Sequence, residues 1–477
     1  MAKPRILVPI SLQFSIRYLL RTGLLEKMGE FCEPVVMLAW QDAGLEQELA
    51  SVSEVHSLTR SRWGARYEQT RGILNTWHQN RYASPSTPIR ERRSNLDRSF
   101  KERVKRKLRL SMRELSTVLP GSLEKHQAEE RSLLWTDTNA HEVKRIVKRL
   151  NLDGVFSLTP FIPDEELTVR VCGEEGLPSC AAILSFDNLT TRPWIPMLFD
   201  SYLLWNRHNA EQLRRGYPEA ADRPVTIVGS PQFDFYWDKR YITDEAEWRK
   251  SLGLPGGRPV VLFGGGYFSC APHEPQFLAH LDEAIERGQI PGKPVVLFRR
   301  HPVDPMGRWE PILKQAKNVV HDDPWEFRNP ILGHTNILDA DIAKLASTLY
   351  HTVAHVNVAS TLSLDGAIVD RPQIGPAYDE SAGGKYHQAA FECYEQEHFL
   401  PILNSGGLAV ARSREALVTA LGEAIRNPGE KQEGRKRIVR EICTFDDGRC
   451  TARVAEAVEA FVCNRVSMSA AQTAQTS

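Results

Sequence analysis

Three groups of residues in this 477-residue chain have types and spacing suited to handling a phosphorylated or hydroxylated ligand. Phe298-Arg-Arg-His-Pro302 sets two guanidinium groups and an imidazole side by side after an apolar run. Arginine forks match phosphate oxygens, and donors aimed at a departing diphosphate stabilise the charge it gains without a metal. Arg300 and His301 lie nearest the following loop and are the expected ligands, whereas Arg299 reads as a salt bridge on a sheet face. His301 has a second reading, as a turn residue before Pro302. Val356-Asn-Val-Ala-Ser-Thr-Leu-Ser-Leu-Asp365 brings Ser360 and Thr361 to a strand-to-helix junction, where unpaired backbone N–H groups accept phosphate oxygens. Asp365, about one helical turn further on, is placed to accept hydrogen bonds from a ribose diol. The competing reading makes Ser360 a helix cap and Asp365 a partner of the helix dipole. Gly264, Gly265 and Gly266 follow an apolar run and either let backbone approach a phosphate or form a mobile lid.

The third group is Ser185-Phe-Asp-Asn-Leu-Thr-Thr-Arg192, which gathers an acid, an amide, hydroxyls and a cation. A hydroxyl nucleophile wants a carboxylate or imidazole within hydrogen-bond reach, and Asp187 is the expected base, with His208 as the second candidate. Asn188, Thr190 and Arg17 are the expected acceptor-binding groups. An Asx-type turn at Asp187-Asn188 is the alternative. Metal ligation is not expected: Asp339-Ala-Asp341 has acidic letters but opens a helix, and no H-E-x-x-H, Walker A or G-x-S-x-G pattern occurs.

These residues need sheet edges to gather them, and hydrophobic periodicity predicts two sheets. Strand Ile6–Ile10, amphipathic helix Ser15–Met28 and strand Pro34–Ala39 make a βαβ unit, which implies a parallel sheet. The alternation resumes from helix His141–Leu150 through strand Val225–Val228. A second series begins after the breaker cluster Leu254–Pro259, with strands Val260–Phe263, Pro294–Phe298 and Val353–Val358. The expected fold class is α/β, with two Rossmann-like doubly wound domains facing a central cleft. Residues 1–235 form the N-terminal domain in this reading, and 236–430 the second, which carries the phosphate-binding candidates. Closing helices follow at 431–465, then a Ser/Ala/Gln-rich tail at 466–477, expected to be disordered.

A helical insertion at about 59–131 interrupts the first domain. Between Pro88 and Glu114 it carries eleven basic and four acidic residues, a net of +7. Phe100, Val104, Leu108 and Met112 recur there every four residues, so an apolar stripe runs between cationic flanks. Residues 88–114 are read either as a contact with an anionic membrane or as a solvated helix packed on the domain. Elsewhere the chain is balanced, with 60 Lys+Arg against 60 Asp+Glu, and no nucleic-acid partner is expected. Eight cysteines without a C-x-x-C pair fit neither a disulfide framework nor a zinc site. The N-terminal apolar run is too short for a signal peptide or a span, so a cytoplasmic location is expected, with peripheral contact on the inner membrane face.

Several of these strings resemble one family. Val356 to Pro372 is similar to the donor-site segment of GT-B glycosyltransferases, and Val228-Gly-Ser-Pro-Gln-Phe-Asp234 resembles the close of their N-terminal domain. Arg300-His-Pro302 and Asp447-Gly-Arg-Cys-Thr-Ala-Arg453 resemble segments of CDP-glycerol glycerophosphotransferases and related surface-polysaccharide enzymes. The resemblance implies an inverting, metal-independent transfer of a sugar from a nucleotide-diphosphate donor to a glycan or lipid-linked hydroxyl, with no cofactor. It leaves open a CDP-polyol phosphotransferase, a nucleotide-sugar epimerase or a non-catalytic glycan-binding scaffold. Against the phosphotransferase, Val356–Thr361 stands where those enzymes usually carry an acidic, serine-paired segment.

Overall fold

The computed structural model describes residues 2–82, 84–136, 138–268, 271–302, 304–325 and 336–476; Cys270 lies outside them. The chain divides into two compact units, Met1–Gln232 with Arg449–Ser477, and Phe233–Gly448.

The first unit holds seven parallel strands: β1 (Arg5–Ile10), β2 (Glu33–Leu38), β3 (Glu54–Ser57), β4 (Gly154–Ser157), β5 (Ser179–Ala182), β6 (Ser201–Leu204) and β7 (Val225–Ile227). Their order is β3-β2-β1-β4-β5-β6-β7, so the winding reverses between β1 and β4. The second unit holds six: β8 (Val260–Gly264), β9 (Val295–Arg299), β10 (Val319–Asp322), β11 (Ala354–Asn357), β12 (Gln373–Pro376) and β13 (Leu408–Ala411). Here the order is β10-β9-β8-β11-β12-β13, with the reversal between β8 and β11. Central strands such as Val-Val-Leu-Phe-Gly and Val-Val-Leu-Phe-Arg are buried along their whole length, as a parallel sheet covered on both faces requires.

The predicted helix Ser15–Met28 is broken in the structure. Gly23 takes φ +73°, which L side chains rarely adopt, and separates the turns ending at Arg21 from a helix at Leu24–Phe31. Strands β3, β10, β12 and β13 escape a periodicity reading because each has only four residues, and the first three carry polar, Gly or Pro positions (Glu-Val-His-Ser, Val-Val-His-Asp, Gln-Ile-Gly-Pro). The last helix runs Cys450–Thr476, spanning the segment that composition reads as a tail, and packs its first half on the first unit. Among the described residues no helix is long and apolar enough to cross a membrane.

The insertion forms helices Ala65–Tyr82, Ser86–Ser94, Phe100–Val118 and Ser122–Leu134. A buried quartet ties it to the helix Pro163–Glu174. Arg71 donates to Glu166 at 2.8 Å and pairs with Glu130 at 3.5 Å, while Arg170 reaches Glu130 at 2.6 Å and Glu166 at 3.1 Å. Two guanidinium groups and two carboxylates balance, and Arg71 also donates to the Trp194 carbonyl at 3.2 Å.

Candidate functional site

In the second sheet, register aligns Asn357, Gly264, Arg299 and Asp322 in one row at the carboxyl ends of β11, β8, β9 and β10. Ligands of open α/β sheets bind outside that edge, at the reversal point. Immediately past Asn357 the chain bends sharply. Ala359 takes φ +38°, a left-handed conformation that costs a residue with a side chain on the order of 1 kcal/mol or more. The Asn357 side-chain oxygen pins the bend, accepting from the Ser363 hydroxyl at 2.9 Å and the Ser360 N–H at 3.4 Å. Behind it, Asn357 donates to Gln373 at 3.5 Å, and Gln373 meets His355 at 3.1 Å. Burial holds the His355 imidazole neutral, with its pKa lowered to about 3.

Ser360 and Thr361 therefore stand at the rim, as expected. Ser360 accepts from the Leu362 N–H two residues on at 3.2 Å, a turn bond just before the helix, while Thr361 is exposed and makes no side-chain cap. Asp365 is placed differently from the ribose-binding reading. It is buried and accepts from the Tyr236 hydroxyl at 2.8 Å. The glycine turn also has a packing explanation. A Cβ on Gly264 would lie 2.2 Å from the end of the Leu362 side chain, which would have to turn aside at the start of the helix Leu362–Ile368. Two of its N–H donors are already engaged, Gly265 to the Arg299 carbonyl at 2.9 Å and Gly266 to Glu274 at 2.8 and 3.0 Å.

Glu274 belongs to a lock that sequence reasoning passed over. Arg308 donates to Glu274 at 3.2 Å, to Asp304 at 2.7 Å, and to the carbonyls of Gly266 and Ala271 at 2.8 and 2.7 Å. Asp304 in turn takes the Phe268 N–H at 2.8 Å and the Trp309 indole at 2.7 Å. Of the expected cations, Arg299 faces inward onto Asp322 at 2.9 Å, and Arg300 pairs with Asp323 at 2.9 Å and with the Asp304 carbonyl. His301 is half-buried with its ring 5.9 Å from Tyr267, and burial lowers its pKa. It is thus a neutral donor or acceptor at pH 7 rather than a counter-charge.

Burial outweighs Arg308 and the Gly266 N–H at Glu274 and raises its carboxyl from 4.5 to about 7. Between those values the folded chain keeps a proton that the unfolded chain has released. The contribution of this group to stability is therefore full below pH 4.5 and is lost as pH rises through 7, by on the order of 3 kcal/mol at 1.36 kcal/mol per unit. Glu274→Gln is expected to remove that share of the slope. Urea midpoints at pH 5 and pH 8 for both proteins measure it, and an unchanged difference would sink the assignment.

The first unit's edge carries the other group. Asp187 is half-buried, with one carboxylate oxygen accepting from the Ser185 hydroxyl at 2.5 Å and the Asn188 amide at 3.3 Å. Its other oxygen accepts from Thr191 at 3.1 Å. Asn188 and Thr190 are buried and close the turn, Asn188 through the Ser185 N–H and Thr190 through the Asp187 carbonyl. His208 sits half-buried in the first turn of the helix Arg207–Gly216, beyond β6. Arg17 donates to Gln232 at 2.9 Å. Glu165, unremarked in the sequence, is fully enclosed at the β1/β4 reversal. It accepts from Ser11 at 2.9 Å, Ser157 at 2.6 Å, and the N–H groups of Leu158 and Thr159 at 2.9 and 2.6 Å.

No family model and no curated protein sequence matches the chain. Solved structures do. A UDP-GlcNAc 2-epimerase from Neisseria meningitidis bound to UDP-GlcNAc aligns over 95% of this chain and 99% of its own, at 9% identity and TM-score 0.53. S. aureus MnaA with UDP aligns over 96% and 97%, at 9% identity and TM-score 0.55. A glycosyltransferase from Rickettsia africae aligns over 97% and 99%, at 10% identity and TM-score 0.51. The chain has the GT-B fold. Both Rossmann-like sheets expected from the sequence are present, each with its own reversal point. The GT-B assignment rests on chain-long alignment to these structures and on the two strand orders.

Proposed function

We propose that this GT-B chain is a glycosyltransferase that binds a nucleotide-diphosphate sugar on its second unit and moves the sugar to a glycan or lipid-linked hydroxyl. The observation that carries the reading is the strained bend Ala359–Thr361 at the β8/β11 reversal, with Thr361 exposed and its side chain engaged in no cap. Solved structures of this fold hold UDP and UDP-GlcNAc, which supports a nucleotide diphosphate as the ligand. In this reading Ser360 and Thr361 receive the diphosphate and His301 adds a neutral hydrogen bond. Arg300, held by Asp323, supplies positive charge at the same edge. Asp187 serves as the base for the acceptor hydroxyl, and the reaction requires no metal, so chelator should leave the rate unchanged.

A thermal-shift panel of UDP, GDP, CDP and dTDP compounds tests donor binding, since a ligand at about 100 times its Kd adds roughly 2.7 kcal/mol. Thr361→Glu then tests the place. An added carboxylate beside phosphate should weaken binding at least about tenfold, or roughly 1.4 kcal/mol. The melting temperature should hold, because Thr361 is exposed and an acid suits a helix N-terminus. Unchanged affinity in calorimetry would move the donor elsewhere. A second reading, a nucleotide-sugar epimerase, is favoured by the alignment to a UDP-GlcNAc 2-epimerase bound to UDP-GlcNAc. Incubation with the donor alone separates the two, because an epimerase converts the sugar without any acceptor.

A further inference from the structure

The helix Phe100–Val118 is assembled inside out. The side that packs toward the helices Ala65–Tyr82 and Ser122–Leu134 presents Arg106, Leu110, Arg113 and Thr117, all half-buried. Arg113 lies over Gly72, where an added Cβ would sit 2.5 Å from its guanidinium, and Arg106 is 3.6 Å from Glu91. The opposite side turns Phe100, Val104, Leu108, Met112 and Leu115 outward at 82, 50, 61, 63 and 66% exposure, and Val118 and Leu119 extend the stripe. Seven of the eleven large exposed apolar side chains among the described residues lie on this one stripe, which singly scattered surface residues would not produce. No residue of the helix is buried.

The helix is stable without covering that face, because Ser99 and Glu102 close a reciprocal capping box at its start. The same cap engages one of its two acids. Lys101, Lys105, Lys107 and Arg109 flank the stripe and are exposed. We infer that this helix lies in the plane of an anionic lipid bilayer, its apolar stripe among the acyl chains and its flanking cations among the headgroups. Its 19 residues span roughly 28 Å, long enough to seat the whole stripe along the surface. A second copy of the chain is a poorer occupant, because stripe-to-stripe packing would set two cationic margins against each other, whereas anionic headgroups complement both. The inference stands on the first unit alone and does not depend on the donor-site reading.

The full chain should cosediment with vesicles of phosphatidylglycerol and phosphatidylcholine at low salt, and at least tenfold less with phosphatidylcholine alone. Raising the salt well above 0.1 M, where the Debye length is already about 10 Å, should release it. Leu108→Gln with Leu115→Gln should reduce anionic-vesicle binding at least tenfold, and so should Lys101→Gln, Lys105→Gln and Arg109→Gln together. Both variants should keep the parent melting temperature, since none of these side chains is buried. Absence of sedimentation on anionic vesicles at low salt overturns the inference, as does binding that the Leu108/Leu115 variant leaves undiminished. A solution dimer that the same variant dissociates, in a protein that ignores vesicles, would name a second copy as the occupant instead.

Discussion

Arg71→Ala should lower the stability of the first unit by about 3–5 kcal/mol, the range for removing one member of a buried ion pair. Arg71 is 7% exposed, and Glu166 and Glu130 are buried at 0 and 2%. Its loss would leave two buried carboxylates sharing Arg170. Burial already pushes the Glu166 carboxyl upward despite two neighbouring arginines. The Trp194 carbonyl would also lose its donor, and the Trp194 ring the guanidinium 5.4 Å above it. The double variant Arg71→Met with Glu166→Leu should be less damaging than the single one, because it leaves Arg170 and Glu130 as a balanced pair at 2.6 Å. Urea denaturation of the three proteins gives the comparison. A single-variant cost below about 1 kcal/mol would mean that the quartet is hydrated and that the insertion is held by its apolar contacts.

The second large effect is expected in catalysis. Asp187→Asn should lower turnover by about 10²–10⁴, the usual contribution of a positioned general base, while the donor dissociation constant stays the same. The substitution preserves shape, and Ser185 and Thr191 can rotate their hydroxyls to suit an amide. Among the described residues one oxygen of Asp187 receives two donors and the other receives only Thr191, so that oxygen has room for an acceptor hydroxyl. Release of nucleoside diphosphate from whichever donor the thermal panel identifies provides the assay. Full activity would pass the role to His208 or identify Asp187 as a turn residue, the other reading of its sequence.

The sequence by itself determined the α/β class, both sheets, most central strands and the basic amphipathic character of residues 88–114, because each is carried by local periodicity or local charge. It also brought Ser360 and Thr361 to a strand-to-helix junction, which follows from the order of apolar, small and helix-forming residues. What it left open depends on partners distant along the chain. Asp365 looks like a ligand-facing acid until Tyr236, 129 residues away, is found bonded to it. Gly264 looks like a phosphate turn until Leu362 is found where its Cβ would be. Glu130, Glu165 and Glu166 carry no local signal of burial, and only the packing of three helices and two strand ends encloses them with donors. Within the basic segment, composition counts Arg90, Arg106 and Arg113 with the others, whereas the fold turns them inward, Arg90 onto the Thr190 carbonyl at 2.7 Å. A periodic pattern says which side of a helix is apolar, but only the tertiary contacts decide whether that side meets the core. Around Phe100–Val118 the neighbouring helices offer Glu91 and Gly72, which accept arginines better than leucines, and the apolar stripe is left facing outward.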